Sequence, residues 1–222
     1  MPMRRSLSPR RREPAGRSPG RPRAGEGVDT RAALLGSALA LFATRGYAGV
    51  TVGEIAAAAE VTVPVIYQRF GSKAELFIAV AEDAYDRGLR HLQSAISGVS
   101  SFDAAIDTVL DAVASLNKLD RHTTAMVLIV PAEARRFEEL SGKLQPTLQR
   151  LGAFFDEIAD LAPHDLAPDP RARRDLSRAL VSVCGGLASA AMMIEDAGDY
   201  ERVVDSMRAL IGARPRTLMS AR

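Results

Sequence analysis

Residues 51–76, TVGEIAAAAEVTVPVIYQRFGSKAEL, decide the fold. Thr51-Val52-Gly53-Glu54 has the form of a capping box, in which the Thr hydroxyl serves one orphan amide of a helix start and the Glu carboxylate another. The helix it opens reaches about Ala59, with Val52, Ile55, Ala56 and Ala59 on one side. A turn at Glu60-Val61 follows. A second short helix spans about 63–70, with Pro64 in its first turn, where a missing N–H costs little, and Gly71 at its end. Ser72-Lys73-Ala74-Glu75 repeats the capping box and starts a long helix to about Ile96. Two short helices across a tight turn, with another starting at once, form the layout of a helix-turn-helix, which lays one helix in the major groove of DNA.

Upstream, Leu35, Ala38, Leu39 and Phe42 follow the i, i+3, i+4, i+7 spacing of a helix. Asp29 fits its N-cap and Gly46 its C-cap, which predicts a helix over about 30–45. Before it, residues 1–27 hold eight Arg against two Glu among Pro, Gly and Ser. Too little apolar surface is present to offset the entropy of ordering, so this stretch is expected to be a disordered basic tail. It is either a solvated tail or an arm attracted to phosphates. Without it the chain's formal +2 becomes negative.

Downstream the pattern stays helical. Helices are predicted over 102–118, over 121–140 as a pair broken at Pro131, and over 143–161. A loop with Pro163, Pro168 and Pro170 precedes helices over 171–196 and 199–212, and residues 214–222 read as a flexible tail. Sustained two-residue alternation is missing, so the fold class is all-α without a sheet.

Composition bounds the chemistry. The 222 residues are 47% hydrophobic and 25% charged, as in an ordinary soluble protein. The apolar run Ala179 to Ile194 is short of a bilayer span and contains Ser182, Gly185, Gly186 and Ser189, so it reads as a buried helix. No apolar core follows the basic start, so no secretory signal is expected. Cys184 is the one cysteine, and His91, His122 and His164 lie far apart, which gives no zinc-ligand spacing. A cytoplasmic protein is the reading. No nucleophile-and-base set or phosphate-binding glycine loop is found, and Glu133, Glu138, Glu139, Asp156 and Glu157 read as solvated helix faces. The expectation is therefore no enzyme, no cofactor and no metal.

On a wheel of about 100° per residue, Ile66 and Phe70 share the inner face of helix 63–70, with Val63 beside them. Pro64 and Gln68 lie opposite, flanked by Val65 and Tyr67. Gln pairs bidentately with adenine, and small apolar groups touch the thymine methyl. Tyr67 and Arg69 suit phosphates, as do the helix start at Thr51 and Lys73 at the next start. Four basic and four acidic residues leave 28–76 without net charge.

The segment TRAALLGSALALFATRGYAGVTVGEIAAAAEVTVPVIYQRFGSKAELF resembles the DNA-binding domain of the TetR family of bacterial transcriptional regulators. The matching marks are Phe42 and Gly46-Tyr47, Thr51-Val52, Ile55-Ala56, Val61-Thr62, Ile66-Tyr67-x-x-Phe70 and Ser72-Lys73-x-x-Leu76. By that resemblance Thr51, Tyr67 and Lys73 are phosphate anchors, and Thr62, Val63, Val65 and Gln68 lie at or near the bases. Two residues depart from the pattern. Glu60 stands where Gly or Asn is frequent, and a left-handed backbone there costs Glu about 1 kcal/mol. Pro64 stands where Gly is common and alters access to the bases.

The resemblance implies a DNA-binding domain over 28–88, with its motif at about 51–70, and a helical ligand-binding and dimerisation domain over 89–213. In the latter, Leu176, Leu180, Val183, Leu187, Ala190 and Ile194 form a seam suited to helix pairing. Tyr200, Val203, Val204, Met207, Leu210 and Ile211 give the last helix an apolar face. These sets are either an intramolecular core or a two-fold interface; the family favours the interface, carried by Leu176, Leu180, Val183, Leu187, Ile194, Val203, Met207 and Leu210. Met126, Phe137, Phe154, Phe155 and Met192 are candidate lining of a ligand pocket, or plain core. The functional expectation is a homodimeric repressor that a small, largely apolar effector releases from a palindromic operator in double-stranded DNA. The alternative is a helical interaction protein with a degenerate DNA-binding domain.

Overall fold

The computed structural model describes residues 26–212. The expected basic tail, except Glu26 and Gly27, and the expected tail over 214–222 lie outside the described residues. The helices are α1 (Glu26–Arg45), α2 (Val52–Ala58), α3 (Val63–Phe70), α4 (Lys73–Ala95), α5 (Phe102–Leu119), α6 (Arg121–Arg136), α7 (Glu138–Asp160), α8 (Pro170–Met193) and α9 (Ala197–Gly212). The fold is all-α, with no strand among the described residues.

Two apolar clusters hold it together, and α4 runs through both. Leu76, Phe77, Val80 and Ala81 pack with α1, α2, α3, α6 and the start of α7. Further along α4, Leu89 and Leu92 pack with α5, the end of α7, α8 and α9. In the first cluster Phe77 meets Phe42 and Tyr47 edge-on, with ring centroids 5.0 and 5.3 Å apart. Each such pair adds about 0.5–1.5 kcal/mol beyond burial.

Two expectations need correction. α1 starts at Glu26, so Asp29 lies within the helix rather than capping it. Once nucleated, a helix propagates cheaply until a breaker stops it, and no proline intervenes. Pro131 does not break 121–140 either; it sits inside α6. A proline removes the N–H that would bond the carbonyl four residues back. Here that carbonyl belongs to Val127, and the Tyr85 hydroxyl donates to it at 3.4 Å. The break falls instead at Phe137, which is extended (φ −119°, ψ 115°) and separates α6 from α7.

Candidate nucleic-acid interface

Both caps predicted around the motif form. Thr51 caps α2 as a full capping box: its Oγ1 accepts from the Glu54 N–H at 3.2 Å, and its own N–H donates to Glu54 Oε2 at 2.8 Å. The hydroxyl proton is also given to Glu54 Oε2, at 2.8 Å. Thr51 must release that bond before donating to a phosphate. Arg45 adds an ion pair to Glu54 at 2.7 Å. The guanidinium first, and then the Thr51 groups, hold the Glu54 carboxyl down to about 2. Ser72 caps α4 by accepting from the Glu75 N–H at 3.1 Å, but the predicted box stays half-formed, because the Glu75 carboxylate turns to Lys143 of α7.

The turn between α2 and α3 is closed by Glu60, whose φ is +54°. This is the left-handed conformation anticipated for it. The Val61 N–H then reaches the Ala56 carbonyl at 2.9 Å and brings α3 across α2. Thr62 stands at the N-cap of α3 without a side-chain capping bond, and Pro64 lies in the first turn.

α3 is two-sided as its wheel required. Ile66 and Phe70 are buried, and Arg31 lies over the Phe70 ring at 5.0 Å. Thr62, Pro64, Tyr67, Gln68 and Arg69 are exposed, while Val63 and Val65 are half-buried. Tyr67 keeps 47% of its surface open, a large aromatic on an otherwise small, convex face. Most of the predicted reading set therefore shares one outward surface.

Lys73 is the exception. It is half-buried, and its ammonium sits 4.4 Å from the centroid of the Tyr47 ring. Burial lowers its pKa, against the pull of the Glu139, Glu133 and Glu54 carboxylates. Tyr47 is held from the junction between α6 and α7. Its hydroxyl donates to Glu139 Oε1, its N–H donates to Glu133 Oε1 at 3.1 Å, and its ring meets Phe137 edge-on at 5.1 Å. Burial, then the bond to Glu139, raises the phenol pKa. Next to it Gly46 has φ +68°, and a Cβ there would lie 2.5 Å from Glu133 Oε1. The sequence reading missed these acids because solvated helix acids look the same until the helices are placed.

A narrow apolar cavity of about 50 Å³, open to solvent on one side, lies among α4, α5, α6, α7 and α8. Tyr85, Leu89, Val127, Phe155 and Cys184 are among its lining residues, and no charged side chain is. Burial pushes the Cys184 thiol up to about 12, so it stays neutral. Of the five predicted lining residues only Phe155 reaches this space. Met126 is buried in the first cluster, Phe137 packs on Tyr47, Phe154 faces another surface with its ring against Phe155, and Met192 is largely exposed. Hydrophobicity at helical spacing marked them as inward, but not toward which interior. Ala84 and Gly88, one turn apart on α4, and Ala188 on α8 leave the room, a signal readable only once the two helices face each other.

The predicted seam on α8 and α9 divides. Leu180 and Leu187 belong to the subunit's own core, Leu187 with no exposure at all, so they are not available to a partner. Leu176, Val183, Ile194, Val203 and Met207 are half-buried against that core, and Leu210 is 72% exposed. The outward stripe of α8 is Ala179, Ser182, Gly186 and Met193 instead. A seam of fours and threes fixes the period but not which of two adjacent faces turns inward. α8 is long and apolar enough to cross a membrane by composition, and only 28% of its most apolar stretch is buried. Its first turns nevertheless carry Arg171, Arg173 and Arg174, and its inner face packs on the bundle.

Residues 34–80 match the family described as "Bacterial regulatory proteins, tetR family". The chain is 25% identical over 202 residues to the HTH-type transcriptional regulator CymR of Pseudomonas putida, covering 90% of this chain and 93% of that one. It is 41% identical over 71 residues to the HTH-type transcriptional activator FasR of Mycolicibacterium smegmatis, 32% of this chain and 29% of the other. Its fold is similar to that of a transcriptional regulator from Saccharomonospora viridis solved in complex with choline, with a TM-score of 0.69 at 14% identity over 84% of this chain and 97% of that one.

Proposed function

We propose that this chain, which belongs to the TetR family of bacterial regulatory proteins, is a homodimeric repressor that an uncharged, largely apolar molecule releases from a palindromic operator. DNA binding and transcriptional regulation come with the family; dimerisation, release and the sign of the effect are our reading. The DNA-binding domain is assigned to residues 28–88 and the ligand-binding and dimerisation domain to 89–213. The observation that carries the reading is the outward face of α3, where Tyr67 and Gln68 stand exposed on a helix whose other side is locked by Ile66 and Phe70. Gln68, Thr62, Val63, Pro64 and Val65 face base edges in this reading, and Tyr67, Arg69, Thr51 and Lys73 face phosphates.

Pairing is supported by the open stripe of small residues on α8, ending in Met193, and by Leu210 on α9. Two copies related by a two-fold axis need their reading helices roughly 34–36 Å apart to enter successive major grooves. A ligand that prefers a different separation lowers DNA affinity, and DNA lowers ligand affinity by the same factor. The cavity supports an uncharged occupant, since no ionic side chain lines it to offset desolvation. Such a protein acts where the chromosome is, in the cytoplasm.

Selection of bound sequences from a random duplex library tests the reading. A two-fold-related motif is expected, and its absence sinks the proposal. Gln68→Ala should relax preference at one position of each half-site, at a cost of about 1–3 kcal/mol. Tyr67→Ala should weaken all sites alike. Mass spectrometry of small molecules that co-purify with the protein should find a neutral compound of mostly carbon and hydrogen.

A further inference from the structure

The contacts of Lys73 carry an inference beyond the DNA reading, although it rests on that reading. We propose that Glu139 and Glu133, at the junction of α6 and α7, are positioning residues that, through Tyr47, hold Lys73 back from the DNA. A phosphate must compete with that junction for the Lys73 charge.

Three observations point to it. The Lys73 ammonium lies over the face of Tyr47, and the same tyrosine donates its hydroxyl to Glu139 and its amide to Glu133. Glu133 keeps its other oxygen, Oε2, buried and without a hydrogen bond. A buried carboxylate with an unsatisfied lone pair attracts a nearby cation. Gly46 lets the Glu133 carboxylate come this near, since a Cβ there would sit 2.5 Å from Oε1. The junction therefore grips both sides of the reading motif, the turn after α1 and the start of α4.

The same two helices wall the cavity. Thr123, Thr124 and Val127 of α6 and Leu151 and Phe155 of α7 line it, and Glu133 lies about 9 Å along α6 from Val127. Rearranging these helices around an occupant displaces Glu133, Phe137 and Glu139 together. Occupancy of the cavity is thus read at Lys73 as the proximity of negative charge, in addition to any change in spacing between subunits.

The experiment measures binding of the full-length protein to the duplex that the unmodified protein selects, across a series of salt concentrations. Glu139→Gln keeps an acceptor for the Tyr47 hydroxyl and removes the charge. It should tighten binding about three- to tenfold at low salt and steepen the salt dependence by up to about one phosphate's worth of released counterion. Glu133→Gln should act in the same direction. Glu138→Gln removes an equal charge one residue away, exposed and outside these contacts, and should change affinity less than about twofold. In a Lys73→Gln background the Glu139→Gln effect should vanish, which a general field effect or a structural role would not produce. Equal effects of Glu138→Gln and Glu139→Gln, or an effect that persists without Lys73, overturns the proposal. Failure of the unmodified protein to select any duplex overturns the DNA reading as well, so the two failures are told apart.

Discussion

Replacing Gly46 by Ala tests how tightly the α6–α7 junction holds the turn after α1. The backbone at Gly46 is left-handed, with φ +68°, and an L side chain there costs about 1–2 kcal/mol. Its new Cβ would lie 2.5 Å from Glu133 Oε1, closer than real contacts allow. The carboxylate must move, and the Tyr47 N–H that donates to it at 3.1 Å is left without its charged acceptor. Loss of such a bond costs about 1.5–3 kcal/mol. Against this, Ala loses less chain entropy on folding than Gly, a gain of about 0.4–1 kcal/mol. The net destabilisation is about 2–4 kcal/mol, which should appear in urea unfolding as a lower midpoint with an unchanged slope. The same change made in a Glu133→Ala background has no carboxylate to displace and should cost only about 1 kcal/mol. A cost below about 0.5 kcal/mol in the native background, or the same cost in both backgrounds, refutes the argument.

Three further outcomes are expected. Glu60→Gly removes the left-handed strain at φ +54°, and after glycine's own entropic cost it should stabilise the protein by about 0.5–1 kcal/mol; a lower unfolding midpoint contradicts this. Glu54 is held from 4.5 down to about 2 in the folded state, so its contribution is complete above the ordinary value and is lost as pH falls through the depressed one. Glu54→Gln should therefore flatten the acid side of the stability profile, and superimposable acid limbs would count against the Arg45 and Thr51 contacts. Gly88→Ala on α4 places a Cβ at ordinary contact distances, 3.7 Å from Leu116 and 3.8 Å from Thr123. It should raise the melting temperature through about 0.5–1 kcal/mol of helix propensity while narrowing the cavity, and a fall would mean the wall has no slack there.

Local rules carried the reading motif. The capping box at Thr51, the Ser72 cap, a proline in the first turn of α3 and a glycine after it depend on neighbours within four residues, so their chemistry is visible along the chain. The left-handed turn at Glu60 was legible for the same reason. Long-range choices were not. Pro131 reads as a breaker until the Tyr85 hydroxyl arrives from α4, 3.4 Å from the carbonyl that proline orphans. Leu180 and Leu187 fit a pairing seam equally well whichever side of α8 faces the bundle. Met126, Phe137 and Phe154 were seen as inward-facing, yet none of them lines the apolar cavity, because periodicity assigns a side chain to a face and not to a neighbour. Lys73 fits a phosphate anchor by position, and its engagement with Tyr47 depends on acids 60 and more residues away.

The proline in α6 has a chemical consequence for whatever enters the protein. Because Pro131 has no N–H to offer, the Val127 carbonyl in the chamber wall is served by a phenol at 3.4 Å, a long and easily exchanged partner. An uncharged guest bearing a hydroxyl would compete for that carbonyl. The oxygen belongs to the main chain, so changes in the surrounding side chains leave this acceptor in place.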